Sequence, residues 1–174
     1  MIIIVDSREQ IPLEFRKSSN VEGTKIATLK TGDYSIEGYE DKISFDRKNP
    51  ADLFGSLGSG RKRFGKELER AQEMDYFAII VECSYTNIKE KTFEGAEFIR
   101  KMRGDVVIKQ IHTLKQKYGI DTIFCNGRKE MASYIRDVFV SYLNQQKIDV
   151  KNNTDTWTKG WVGFNQTHST RTGD

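Results

Sequence analysis

The chain has 174 residues, 37% hydrophobic and 30% charged, with a formal net charge of +3. That is enough for one compact domain with a sizeable core, and the mixture is globular rather than disordered. No apolar run approaches the length of a membrane-spanning helix, and the apolar opening "MIIIVDSRE" lacks a basic leader and turns acidic at Asp6, which predicts a protein with no membrane association, made and kept in the cytoplasm.

Ile2–Val5 is a continuous apolar run and reads as a buried strand, followed by a loop, "DSREQIPLEF", in which Pro12 blocks any helix. "TKIATLK" alternates and predicts a second strand. "GDYSIEG" and "DKISFDRK" predict two more, joined as a hairpin at "GYED". "NPADLFGSLG" predicts a short helix with Asn49 as N-cap and Pro50 in its first position. "KRFGKELERAQEM" predicts a second helix, "YFAIIVEC" a central strand, "DVVIKQIHTLKQKYG" an amphipathic helix capped by Gly119, and "DTIFC" a further buried strand. A long helix follows over 128–146, with Met131, Ile135, Val138, Phe139 and Tyr142 on one face. From Ile148 the sequence is rich in Thr, Asn and Gly without a period and predicts a flexible tail over 148–174, in which Trp157, Trp161 and Phe164 are available for docking. Early strands followed by alternating helices and apolar strands predict an α/β fold, a central mixed β-sheet flanked by α-helices, over 1–147.

Two features limit the chemistry. Cys83 and Cys125 have no C-x-x-C spacing and end apolar runs, so they read as buried free thiols and argue against zinc. Between Lys42 and Glu73 there are eight Lys and Arg against five Asp and Glu, and "GSGRKRFGK" places four cations and three glycines in nine residues. Arg61, Lys62 and Arg63 on such a Gly-rich turn suit a phosphate backbone; a solvated loop is the plainer alternative.

The hairpin supplies the sharper signal. A four-residue loop sets Ile36 opposite Ile43, Ser35 opposite Ser44, Tyr34 opposite Phe45 and Asp33 opposite Asp46, with Glu37 opposite Lys42. Directly opposed side chains have Cβ atoms about 5 Å apart, where like charges repel. Lys48 lies two residues beyond Asp46 and shares its face. Two carboxylates and a backbone carbonyl suit Mg²⁺ or Mn²⁺, with waters completing an octahedron, and a nearby lysine offsets charge on a phosphate. This is the chemistry of phosphodiester cleavage.

"VDSRE" (5–9), "TGDYSI" (31–36), "DRKNPADLFGSL" (46–57) and "SGRKRFGKEL" (59–68) occur in that order. Together they resemble the XPF-type structure-specific nuclease domain, which carries V-D-x-R-E, then G-D, then E-R-K-x3-D, then G-R before a helix. The resemblance covers 1–146 and implies a restriction-endonuclease-like core. It also implies a divalent-metal-dependent endonuclease acting on branched, flap or nicked DNA, in repair or recombination at the nucleoid. By position, it implies Asp33, Asp46 and the Arg47 carbonyl as metal ligands, Asp6 as a further acid near the metal, and Lys48 as the residue that positions the attacking water. It implies supporting roles for Arg8, Glu9 and Arg47, a phosphate contact for Arg61, and a homodimer formed through the C-terminal helices. At 174 residues there is no room for the helicase or tandem helix-hairpin-helix modules of many relatives, which suggests a prokaryotic or phage protein.

One position departs from the pattern. The family acid before Arg-Lys is Glu, and here it is Asp46, whose carboxylate retreats by about 1.5 Å at a site type that tolerates perhaps 0.5 Å. A natural adjusted site, a weakened site, a deliberately altered site and a catalytically silent DNA-binding scaffold all remain open. Asp52 fits N3 of a capping box as well as a metal-shell role, and His112 reads as structural.

Overall fold

A computed structural model describes the backbone of residues 1–164 and the side chains of residues 1–149. The strands are β1 (Ile2–Asp6), β2 (Gly23–Ala27), β3 (Tyr34–Ile36), β4 (Ile43–Lys48), β5 (Tyr76–Val81) and β6 (Asp121–Phe124). They form one mixed sheet in the order β2-β1-β3-β4-β5-β6. The helices are α1 (Pro50–Leu57), α2 (Arg61–Ala71), α3 (Tyr85–Glu90), α4 (Gly104–Tyr118) and α5 (Arg128–Phe164). The expected α/β fold, a mixed sheet flanked by helices, is therefore present. α3 and a short 3-10 turn at Ala96–Phe98 are additions to the sequence reading.

The hairpin keeps two of the predicted pairs and departs at both ends. β3 pairs antiparallel with β4, Tyr34 opposite Phe45 and Ser35 opposite Ser44, but the Asp33 N–H donates to the Phe45 carbonyl at 2.7 Å, so Asp33 leaves the ladder before it is opposite Asp46. Glu37 departs from the expected partner: its N–H donates to the Ile2 carbonyl and its carboxylate takes Lys25 at 2.8 Å. That end of β3 is drawn to β1, which pairs with it antiparallel. β4, β5 and β6 run parallel, so β4 and β5 need a crossover, and α1 and α2 provide it.

Period-2 alternation sends Phe77, Ile79 and Val81 of β5 to one face, where they meet Leu53, Phe54 and Leu57 of α1, Phe64 and Leu68 of α2, and Val107, Ile108 and Ile111 of α4. Each such side chain contributes about 1.5–3 kcal/mol on burial. Parallel register puts Ser44, Asp46 and Lys48 of β4 on this same face. Phe45 points to the other face, against the Tyr134 ring of α5. Cys83 and Cys125 are buried free thiols, as expected.

The chain forms two compact units, Met1–Arg136 and Asp137–Asp174. The first holds the whole sheet and α1–α4. Within it Met131 and Ile135 are fully buried, so this part of the apolar stripe is core. The second holds the remainder of α5, which continues past Gln146, where the sequence reading ends the helix. Residues 147–159 contain neither Pro nor Gly to stop it. Residues 165–174, and the side chains of Trp157, Trp161 and Phe164, lie outside the described residues.

Candidate active site

The end of β4 carries the acids and the lysine. Asp46 and Lys48 are both buried, at 5% and 8% exposure, although each is charged at neutral pH in water. Burial of this kind needs partners. Lys48 Nζ stands 2.7 Å from Asp46 Oδ2 and 4.7 Å from the centre of the Phe64 ring. The ion pair with Lys48 is the one polar contact of Asp46 Oδ2 among the described residues; it takes no other donor. Asp33 enters from the position just before β3, its N–H on the Phe45 carbonyl, and its Oδ2 accepts the Arg47 backbone N–H at 2.7 Å. Burial, then the charge of Asp46, push the Asp33 carboxyl up to about 8. Burial pulls the Lys48 ammonium down, but Asp46 outweighs it and holds the group above its ordinary value, so Lys48 is a cation here.

Two loop devices hold this geometry. Asn49 caps α1: its Oδ1 accepts the Asp52 N–H at 2.9 Å and its Nδ2 donates to Asp52 Oδ2 at 2.7 Å. Asp52 therefore does the capping work its N3 position predicts, and it also faces the cleft. Gly32, ahead of Asp33, has φ +80°, and a Cβ there would lie 2.1 Å from Ser44 Oγ. Only glycine fits, which gives the "TGD" stretch its physical reason.

Asp6 extends the row of acids, because its N–H donates to the Asp33 carbonyl at 2.8 Å. Its oxygens are already occupied. Oδ1 accepts from the Arg8 N–H and Nε, and Oδ2 from the Leu29 N–H and Arg8 Nη2, at 2.7–3.1 Å. Burial pushes its carboxyl up, but these donors hold it below the ordinary range. Asp6 and Arg8 thus pin the end of β1 to the chain leaving β2. On the opposite face Arg47 bridges Glu9 at 3.3 Å and Glu82 at 2.8 Å, and Arg128 reaches Glu82 at 3.4 Å and the Ile11 and Pro12 carbonyls. Glu9 and Arg47 are the expected supporting pair.

A cleft of about 640 Å³ lies over Asp33, Asp46 and Lys48, walled by 8–11 on one side and by α1 and the 59–63 corner on the other. Arg63 lines it. Arg61 lies instead in a small cavity beside Tyr118, and Lys62 is exposed. The three cations form the first turn of α2 rather than a loop, with no acid and no side-chain cap to offset them. His112 is exposed on α4 and lines neither cavity.

The sequence reading missed Glu67, Glu82 and Arg128. Glu67 is half-buried beside Asp33 and Asp46; burial, then Asp46, push its carboxyl up. Glu82 had a usable signal: it is the first charge after β5, a strand parallel to β4, so both end at the same sheet edge, where open α/β sheets bind ligands.

The model of the ERCC4 domain matches residues 5–138. The chain belongs to the ERCC4 domain family. This is the XPF-type nuclease family, whose members cleave branched DNA. The ERCC4 fold of this chain is similar to the solved structure of XPF from Aeropyrum pernix, at 22% identity and a TM-score of 0.58, covering 82% of this chain and 61% of that one. It is also similar to XPF from Aeropyrum pernix in complex with DNA, at 21% identity and a TM-score of 0.55, covering 83% and 66%. The chain thus spans less than two thirds of the archaeal chains. No curated protein matches. Among the described residues, no helix is long and apolar enough to cross a membrane.

Family members typically depend on a divalent metal. Among the described residues, no three His, Cys, Asp or Glu side chains gather as a metal cluster, in keeping with the commitment of Asp6 to Arg8 and Leu29. A two-carboxylate site remains. Asp46 Oδ2 is buried with no partner but the Lys48 ammonium, Asp33 lies close enough for the two carboxylates to repel, and strand alternation turns the Arg47 carbonyl to the β3 side of β4, where Asp33 sits. Mg²⁺ and Mn²⁺ use one or two carboxylates and keep several waters, so the donor set fits.

Proposed function

We propose that this chain is a divalent-metal-dependent DNA endonuclease that cuts one strand at branched or flap DNA or nicks duplex DNA. The observation that carries the reading is the convergence of Asp33, held on the Arg47 N–H, with Asp46 and Lys48 of β4 in one open cleft. Asp33, Asp46 and the Arg47 carbonyl would hold Mg²⁺ or Mn²⁺. When bound, the metal supplies Lewis acidity to the phosphate and a nucleophile at neutral pH.

The chain's own residues do the rest. Lys48 keeps its proton and offers a fixed positive charge that orients the attacking water and offsets charge growing on the phosphate. Asp33 is held by the Arg47 N–H, and Arg47 is held by Glu9 and Glu82, so both acids are fixed before substrate arrives. Arg63 in the cleft, with Arg61 and Lys62 beside it on the first turn of α2, attracts the phosphate backbone. Two copies would pair through α5. Since Met131, Ile135 and Phe139 are all fully buried, that contact would use other residues of α5.

A second reading, a silent DNA-binding scaffold, is favoured by one observation: the short Asp46 side chain is closed onto Lys48 at 2.7 Å. Cleavage of labelled duplex, flap and junction DNA with Mg²⁺ or Mn²⁺ decides between them, using this chain beside Asp46→Glu and Lys48→Ala. The endonuclease reading expects cutting by this chain and its loss in Lys48→Ala. Strong cutting by Asp46→Glu alone marks a weakened site. DNA binding without cutting by any form leaves the scaffold.

A further inference from the structure

The cleft over Asp33 and Asp46 does not end at the acids. A second groove of about 400 Å³ opens beside α2 and shares Arg8, Asp33, Asp46 and Arg63 with the first. The two form one trough with the acid pair at its middle.

The cations of its two arms are in different states. In the first arm Arg47 is held by Glu9 and Glu82, and Lys48 by Asp46. In the second, Lys30, Lys66 and Arg70, with Arg63 at the junction, are exposed, and among the described residues none lies within ion-pair distance of a carboxylate. The one carboxylate of α2 that lines this groove, Glu67, is half-buried, and Arg70 acts on it through space without an ion pair. Arg63, Lys66 and Arg70 are spaced i, i+3, i+7 and form one stripe along α2. At 1.5 Å rise per residue the stripe is about 10 Å long. Phosphates of one strand of duplex DNA recur about every 3.4 Å along the axis, so the stripe spans about three of them.

We infer that the α2 arm of the trough binds the backbone of the DNA strand to be cut, with Arg63, Lys66, Arg70 and Lys30 gripping about three consecutive phosphates on one side of the scissile bond. The inference rests on the endonuclease reading and names the residues that place that strand. An open trough with unpaired cations along one wall suits a chain of regularly spaced anions, and the acids at its centre need neutralising before a phosphate can sit over them.

The test is fluorescence anisotropy with labelled duplex and flap DNA, in Ca²⁺, over a series of KCl concentrations. The double variant Lys66→Ala/Arg70→Ala is expected to bind about tenfold or more weakly near physiological salt. Its slope of log affinity against log salt should fall by about 2, and Lys30→Ala should lower that slope by about 1. Both lie at exposed positions and should melt as the wild type does; the charge reversal Lys66→Glu/Arg70→Glu should weaken binding further. If the variants keep the wild-type slope and affinity while the wild-type chain binds and cuts DNA, the inference is overturned and the endonuclease reading stands. If the wild-type chain neither binds nor cuts any of these DNAs, both fall.

Discussion

Asp33→Asn should make the protein more stable than the wild type at pH 8, with the difference shrinking steadily as pH falls towards 4. The wild-type carboxyl is pushed from its ordinary 3.8 to about 8, first by burial and then by Asp46, while the Arg47 N–H pulls the other way. Between those two values the folded chain holds a proton that the unfolded chain has released, so stability falls as pH rises. At about 1.4 kcal/mol per pH unit, the gap sets a ceiling on the order of 5 kcal/mol. Relaxation and entering water reduce this to a few kcal/mol. An asparagine keeps an oxygen to accept the Arg47 N–H and carries no charge, so the variant should lack the slope. Urea unfolding of both proteins at pH 5, 6, 7 and 8 in EDTA measures it. Mg²⁺ at pH 8 should restore wild-type stability and leave the variant unmoved. Parallel stability curves for the two proteins, or a variant less stable at pH 8, would refute the claim that Asp33 and Asp46 repel within a buried site.

Three further outcomes follow from the geometry. Gly32→Ala puts a Cβ 2.1 Å from Ser44 Oγ at φ +80°. It should cost about 2 kcal/mol or more by thermal melting and abolish cleavage by displacing Asp33. Arg47→Met leaves Glu9 without its cation and Glu82 with only the 3.4 Å contact to Arg128. It should destabilise by about 3 kcal/mol in urea unfolding, and a loss below about 0.5 kcal/mol would show that the pair is idle. Asn49→Ala removes the α1 cap and should cost about 1 kcal/mol; Asn49→Ser should recover most of it, which a role of the Asn49 amide in the cleft would not allow.

Much of this site was legible because its information is local. Alternation has a period of two, so once "GYED" is read as a turn, Tyr34 and Phe45 can pair in only one way that keeps the apolar face inward. That register brings Asp33 to the end of β4 that holds Asp46 and Lys48, though Asp33 itself bonds Phe45 rather than pairing with Asp46. Asn49, Pro50 and Asp52 announced the start of α1 by themselves, and the observed cap uses the same atoms. Asp6 shows the limit. Its place in the "VDSRE" stretch matched a metal-site acid, yet its oxygens go to Arg8 and to Leu29, 23 residues away, a partner that depends on how β2 lies beside β1. Glu82 and Arg128 are 35 and 46 residues from the contacts they make, and Glu67 lies beside Asp33 and Asp46 only because α2 folds back over the sheet.

By itself, then, the sequence determined the α/β layout, the hairpin register, the helix caps and the trio of Asp33, Asp46 and Lys48, because short-range periodicity and turn chemistry specify them. Tertiary structure alone decided which charges are spent and which are free. Arg47 and Asp6 are bound, whereas Lys30, Lys66 and Arg70 stand open along one wall. Charge pairing depends on distance between elements far apart in the chain, and that distance exists only once the sheet order and helix packing are set.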